Sequence, residues 1–152
     1  MLARPEGLLL PKMAAAITTP RCVLYAASLV WPVAGWFLMS ATFDQTDASS
    51  VTKLLLNAMT SEFGATGRRA ALPLTDLEDG RWLLRFASRR RPRILNAEGL
   101  ELIVQPSAGS MIRVETRLQP MRSCVGIIPI MEQIVVLQLV PAAAASNRGM
   151  VG

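Results

Sequence analysis

The stretch CVLYAASLVWPVAGWFLMSATF, residues Cys22–Phe43, contains no charged residue. As a helix of about 22 residues it would be roughly 33 Å long, close to the hydrocarbon thickness of a bilayer. A buried helix in a small domain seldom has apolar residues on every side. Pro32 would break a soluble helix, whereas membrane-spanning helices tolerate proline with a kink. The stretch therefore predicts a transmembrane helix over residues 22–43, although tryptophans such as Trp31 are more typical of membrane interfaces.

Two other interpretations of this N-terminal region exist. A cleaved export signal would have a shorter apolar region and end in small residues, whereas Leu38 and Met39 stand where small residues are needed. An organellar presequence remains open, because residues 1–21 contain two arginines and one lysine and are poor in acid. For a retained anchor, the positive charges before the span place residues 1–21 in the cytoplasm. The rest of the chain would then lie beyond the inner membrane, which it crosses once.

The composition gives little support for catalysis. The chain has 152 residues, a net charge of +5 and no histidine, and its cysteines are Cys22 and Cys124. The commonest general base and metal ligand is therefore missing. The only lysines are Lys12 and Lys53, and no phosphate-binding or dinucleotide-binding glycine motif is present. We expect no enzyme activity, no cofactor and no metal site.

An amphipathic helix is predicted over residues 49–63. Its apolar residues recur at the spacing of one helical face, and Gly64 supplies a stop. We expect this face to pack on a sheet through Val51, Leu54, Leu55, Ala58 and Met59.

The second half of the chain is typical of β-structure. Strands are predicted near residues 81–87, 100–105, 111–118 and 134–140. The alternation of apolar and polar residues is clearest in the third of these. Residues 141–152 are predicted to be a flexible tail. The fold class expected is α+β, with a long N-terminal helix, half membrane span and half amphipathic, packed on an antiparallel sheet of three to four strands in a globular head over residues 44–140.

A dense basic run follows the first of these strands. Arg89, Arg90, Arg91 and Arg93 form a candidate interaction surface, although such a run is more often a solvated loop. No aromatic residue is interleaved with the run, as a stacking surface for single strands would require. We therefore do not expect nucleic acid as a partner.

The order of these parts resembles that of the type IV pilins, in particular the type IVb and conjugative-pilus group. The segment SSVTKLLLNAMTSEFGATG is similar to the upper helix of that family. The segment RILNAEGLELIVQPSAGSMIRVETRLQPMRSCVGIIP resembles its central strands. Two features depart from the family pattern. Arg21 and Cys22 occupy the usual cleavage boundary without the expected glycine and glutamate, and Cys124 has no partner cysteine in the head.

The resemblance implies a structural subunit of a type IV pilus or secretion filament, and the departures favour a minor or initiating pilin-like subunit. Its partners would be other pilin-like subunits, and the membrane would hold it before assembly. The alternative is a single-pass, membrane-anchored accessory subunit of a multi-protein membrane complex, bacterial or organellar.

Overall fold

A computed structural model of the chain describes residues 15–140, about half of which are in β-strands. Two helices accompany eight strands among these residues. In chain order the elements are β1 Ala15–Thr18, β2 Cys22–Val33, β3 Trp36–Phe43, α1 Gln45–Phe63, α2 Ala65–Arg69, β4 Leu74–Asp76, β5 Trp82–Ser88, β6 Arg93–Asn96, β7 Met111–Pro120 and β8 Ile127–Gln138.

Five of the strands close into a barrel. β2 pairs with β3, β3 with β5, β5 with β8 and β8 with β7, and β7 returns to β2. These pairings are antiparallel except for that between β5 and β8, which is parallel and rests on the single pair Ala87 and Ile130. The short strands β1, β6 and β4 lie outside the ring, on β7, β8 and β5 respectively. The predicted α+β fold, a long helix on an open sheet, is therefore wrong.

Residues 22–43 form a β-hairpin instead of a helix. Val33 pairs with Trp36, so the turn consists of Ala34 and Gly35. Both turn residues have positive φ, 52° and 85°, which is the backbone of a type I′ hairpin turn. The predicted transmembrane helix is wrong for this reason.

The physical cause of the error is that β2 has apolar residues on both of its faces. Leu24 and Leu29 point into the barrel and are almost fully buried, whereas Tyr25 and Trp31 face outward and are exposed. A strand with this composition has no alternation to distinguish it from a uniformly apolar helix. Pro32 lies in an irregular part of the β2–β3 pairing, between Ser28 and Val33, where a missing donor costs little.

The membrane topology built on that helix also fails. Between residues 15 and 140 no helix combines the length and apolar character needed to cross a bilayer. The predicted single-pass location in the inner membrane is therefore wrong. The predicted cytoplasmic segment 1–21 lies mostly outside the described residues, although its last part includes β1. The predicted tail 141–152 lies entirely outside them.

Helix α1 closes one end of the barrel. Asp44 caps its start by accepting a hydrogen bond of 2.8 Å from the backbone N–H of Asp47, and Gly64 ends it. The helix contacts β3 and β7. The residues proposed to pack against a sheet divide into two groups: Val51, Leu55 and Met59 are fully buried, while Leu54 and Ala58 are half-buried.

The chain around residue 100 is irregular. For residues 100–105 a strand is predicted, but the structure has only an isolated bridge between Leu95 and Glu101. The last long strand, β8, begins at Ile127 and ends at Gln138, so it starts before the predicted bounds 134–140. Residues 121–126 connect β7 to β8. They lie at the same end of the barrel as the β2–β3 turn, because the start of β3 pairs with the end of β5, and the end of β5 pairs with the start of β8.

Candidate functional site

A groove opens where β5 and β8 diverge beyond their single pair. It has a volume of about 660 Å³ and is called the arginine groove below. Its lining consists of Trp36 on β3, residues 88–92 at and after the end of β5, Arg117 and Gln119 on β7, and Ile128 and residues 130–132 on β8.

Two arginines of the basic run lie over aromatic rings of β3. The guanidinium carbon of Arg89 is 4.0 Å from the centroid of the Trp36 ring, and that of Arg91 is 5.8 Å from the centroid of the Phe37 ring. The strand register brings Arg89 to Trp36. Because Phe37 pairs with Ser88 and the strands are antiparallel, the residue before Phe37 lies beside the residue after Ser88. Cation–π contacts of this kind attract a guanidinium to the face of an aromatic ring.

Hydrogen bonds fix the segment that carries these arginines. The side-chain nitrogen Nη2 of Arg91 donates to the carbonyl oxygen of Val30 at 2.8 Å, which ties the segment to the β2–β3 hairpin. The backbone N–H of Arg90 donates to the hydroxyl of Ser88 at 3.1 Å, and Pro92 is buried. The basic run is therefore an ordered wall of the groove.

The four arginines proposed as an interaction surface do not all lie in one place. Arg89, Arg90 and Arg91 line the arginine groove, and Arg117, which the sequence did not single out, joins them from β7. Arg93 lies on β6 and faces Glu101 at 3.9 Å. Four arginines and one carboxylate, that of Glu132, therefore line the groove. Its net positive charge attracts anions.

A shallower groove of about 290 Å³ extends over the outer face of β2, β3 and β5. Small side chains, among them Ala26 and Ser40, form much of its floor. Arg85 stands in it directly across from Ser40 in the strand register. Arg85 thus adds a cation to this face of the barrel.

The hairpin beyond this face carries exposed apolar residues. Trp31 is 79% exposed, and Val30 and Val33 are also exposed. On its other side the hairpin is held by Gln105, whose side-chain oxygen accepts a hydrogen bond of 2.9 Å from the backbone N–H of Leu29. The tip therefore projects an indole from a segment anchored on both sides.

The two thiols have different surroundings. Cys22 is buried, and burial raises its pKa from 9.0 to about 12, against the opposing effect of its hydrogen bond with Thr19. Cys124 is exposed, in the segment between β7 and β8. Within residues 15–140, no three metal-binding side chains come together.

The aromatic half of this site was missed by the sequence analysis. Trp36 and Phe37 are remote in sequence from the arginines and lie in the stretch interpreted as a membrane helix. The sequence holds a weaker signal, since Gly35 suits a turn position and separates two apolar runs that contain aromatic and β-branched residues. The argument against nucleic acid, that no aromatic residue accompanies the basic run, is therefore wrong.

Comparison with known proteins gives matches among solved structures. No family model matches the sequence, and no curated protein does. The chain is similar to gp2.5, a single-stranded DNA-binding protein encoded by bacteriophage T7, with a TM-score of 0.70, 12% identity and coverage of 84% of this chain and 88% of that one. It is also similar to the single-stranded DNA-binding protein of bacteriophage Enc34 in complex with single-stranded DNA, with a TM-score of 0.66, 16% identity and coverage of 84% and 89%.

The protein has an OB fold. The order of its barrel strands, β2-β3-β5-β8-β7, is the five-stranded Greek-key barrel of that fold. OB folds bind oligonucleotides and oligosaccharides on the face of their second and third barrel strands, flanked by the loops between strands one and two and between strands four and five. Here these are β3 and β5, the Ala34–Gly35 turn and residues 121–126.

This placement corrects the remaining predictions. The resemblance to type IV pilins is wrong, because the chain is an OB barrel similar to phage single-stranded DNA-binding proteins. The predicted roles as a pilus subunit or as a membrane accessory subunit are wrong as well, together with the partners expected for them. Both grooves lie on or beside the ligand-binding face of the OB fold.

Proposed function

We propose that this protein binds single-stranded DNA without strong sequence preference, and that it acts by binding and not by catalysis. The observation that carries the proposal is the contact of Arg89 with Trp36 in the arginine groove, beside the ligand-binding face of an OB barrel. Next to it, Arg91 makes a second contact with the half-buried ring of Phe37, which packs against the core. These pairs combine cations with aromatic rings, which are the two components that single-strand-binding surfaces require.

The arginine groove is suited to bind the phosphates of a DNA strand. Arg89, Arg90, Arg91 and Arg117 line one groove. A guanidinium forms paired hydrogen bonds with phosphate oxygens, and it stays charged at every physiological pH. A DNA strand lying along the arginine groove would place successive phosphates against these side chains.

Unpaired bases are the second component. A base can stack on an exposed aromatic ring or on the plane of a guanidinium. Because Arg89 already lies over Trp36, a base stacked on that guanidinium would extend an existing stack. Trp31, on the anchored hairpin, offers a further exposed ring nearby.

Such contacts favour single strands and tolerate many sequences. Stacking requires bases that are not paired in a duplex, and phosphate contacts carry no direct sequence information. The proteins with similar structures support the same ligand, since they are described as single-stranded DNA-binding proteins.

A titration followed by fluorescence anisotropy tests this proposal. The probes are a labelled oligothymidylate of about 20 nucleotides and a labelled duplex of equal length, since OB folds occupy several nucleotides each. We expect saturable binding of the single strand and much weaker binding of the duplex.

A pair of charge-matched variants locates the binding surface. Arg89→Glu should weaken binding strongly, whereas Arg68→Glu on α2, outside the groove, changes the net charge equally and should have little effect. Absence of single-strand binding by the wild-type protein would refute the proposal. Equal losses in the two variants would refute the assignment of the groove.

A further inference from the structure

An ion pair lies where two surface grooves meet. The side-chain nitrogen Nε of Arg117 donates to the carboxylate oxygen Oε2 of Glu132 at 2.9 Å. Both residues line the arginine groove, and both also line a smaller groove of about 260 Å³ beside β1. A ligand passing from one groove to the other would meet this pair.

The pair is held loosely enough to be exchanged. The side chain of Arg117 is 42% exposed and that of Glu132 is 50% exposed. Ion pairs with this exposure contribute little to folding, because water and salt screen them. Opening the pair would therefore cost the fold little.

Arg117 would stay in position after such an exchange. Its Nη1 atom donates a second hydrogen bond to the side-chain oxygen of Gln119, two residues along β7. The neighbour on its own strand thus orients the guanidinium independently of Glu132, and a guanidinium oriented in advance loses less conformational entropy when it binds an anion.

Glu132 opposes the charge of the expected ligand. Among the described residues that line the arginine groove it is the one carboxylate, and it faces the groove from β8. The geometry points to an exchange at this position: a backbone phosphate displaces the Glu132 carboxylate from the Arg117 guanidinium. Glu132 then acts as an internal competitor that limits the affinity of the groove for single-stranded DNA. This inference rests on the proposed function and adds a residue that weakens binding.

The test measures binding of labelled oligothymidylate at low salt to Glu132→Gln, alone and combined with Arg117→Ala. The matched control is Asp79→Asn. Asp79 also forms an ion pair, with Arg81 at 2.7 Å, its side chain is 47% exposed, and it does not line the groove. We expect Glu132→Gln to bind about threefold to tenfold more tightly than the wild-type protein, with the gain declining as salt rises. In the Arg117→Ala background this gain should fall to the level of the control.

Each other result overturns the inference. If Glu132→Gln binds no more tightly than Asp79→Asn, Glu132 does not compete with the ligand. If its gain persists in the Arg117→Ala background, the effect is one of general charge and not of exchange at Arg117. Failure of the wild-type protein to bind the oligonucleotide would overturn the proposed function together with this inference. Thermal unfolding checks that each variant is folded. Glu132→Ala, which also removes the carboxylate, repeats the binding test if Glu132→Gln does not fold.

Discussion

The guanidinium of Arg89 lies 4.0 Å from the centre of the Trp36 ring, across the β3–β5 register. The contact joins the basic run to the hairpin formed by residues 22–43, two segments that are far apart in the sequence. It places a planar cation and an aromatic ring at the edge of one groove.

Replacing Trp36 with alanine should weaken single-strand binding by about 5-fold to 150-fold, since one stacked base contributes about 1–3 kcal/mol. Trp36→Phe keeps a stacking ring and should lose much less affinity. Anisotropy titrations measure both effects, and thermal unfolding checks that each variant is folded. Equal affinity for the alanine variant and the wild-type protein would rule out stacking at this position.

Binding should weaken as salt is added, because arginine–phosphate contacts release counterions. With Arg89, Arg90, Arg91 and Arg117 each meeting a phosphate, log K should fall with log salt with a slope of about −3. Arg90→Ala should make this slope shallower by about 0.7, whereas Arg69→Ala on α2 should leave it unchanged. A slope near zero, or equal changes in the two variants, would contradict the arrangement of phosphates along the groove.

The hairpin turn should be stabilised by Ala34→Asn. Ala34 has a φ of 52°, which costs energy for alanine, while asparagine followed by glycine suits a type I′ turn. We expect the free energy of unfolding in urea to rise by about 0.5–1 kcal/mol. Ala97→Asn, in an exposed turn without positive φ, is the control and should have almost no effect. A loss of stability in Ala34→Asn would mean that the turn has another conformation.

The buried thiol of Cys22 predicts a loss of stability at high pH. Its pKa is about 12 in the folded protein, against 9.0 ordinarily, so the unfolded chain releases the proton first. This contribution to stability is complete below pH 9.0 and is lost as the pH rises toward about 12. Between pH 9 and pH 11 the wild-type protein should lose up to about 2 kcal/mol more unfolding free energy than Cys22→Ala. Parallel pH profiles for the two proteins would show that Cys22 is not buried in this way.

Local periodicity in the sequence is readable where one side of an element faces the core. The buried residues of α1 recur four positions apart at Val51, Leu55 and Met59, and those of β7 alternate from Ile112 to Leu118. Residues 22–43 lack such a contrast, because both faces of β2 carry apolar side chains. Length and uniform hydrophobicity therefore favour a membrane span.

The candidate site could not be assembled from local patterns. The arginine run was recognised as a charged surface, but its aromatic partners depend on the register in which β3 meets β5. The contribution of Arg117 depends likewise on barrel closure, since β7 and β8 bring it to the groove from the other side. Long-range pairing of strands is not encoded in any short segment, so the site becomes visible only in the folded barrel.

The central claim is that single-stranded DNA binds at the Trp36 edge of the arginine groove. The most direct measurement uses a variant with Trp31→Phe and Trp82→Phe, which leaves Trp36 as the single tryptophan. Titration with unlabelled oligothymidylate should quench the Trp36 fluorescence to saturation, with the midpoint found by anisotropy, whereas a duplex of the same length should not. Binding detected by anisotropy with unchanged Trp36 fluorescence, or no binding at all, would contradict the account.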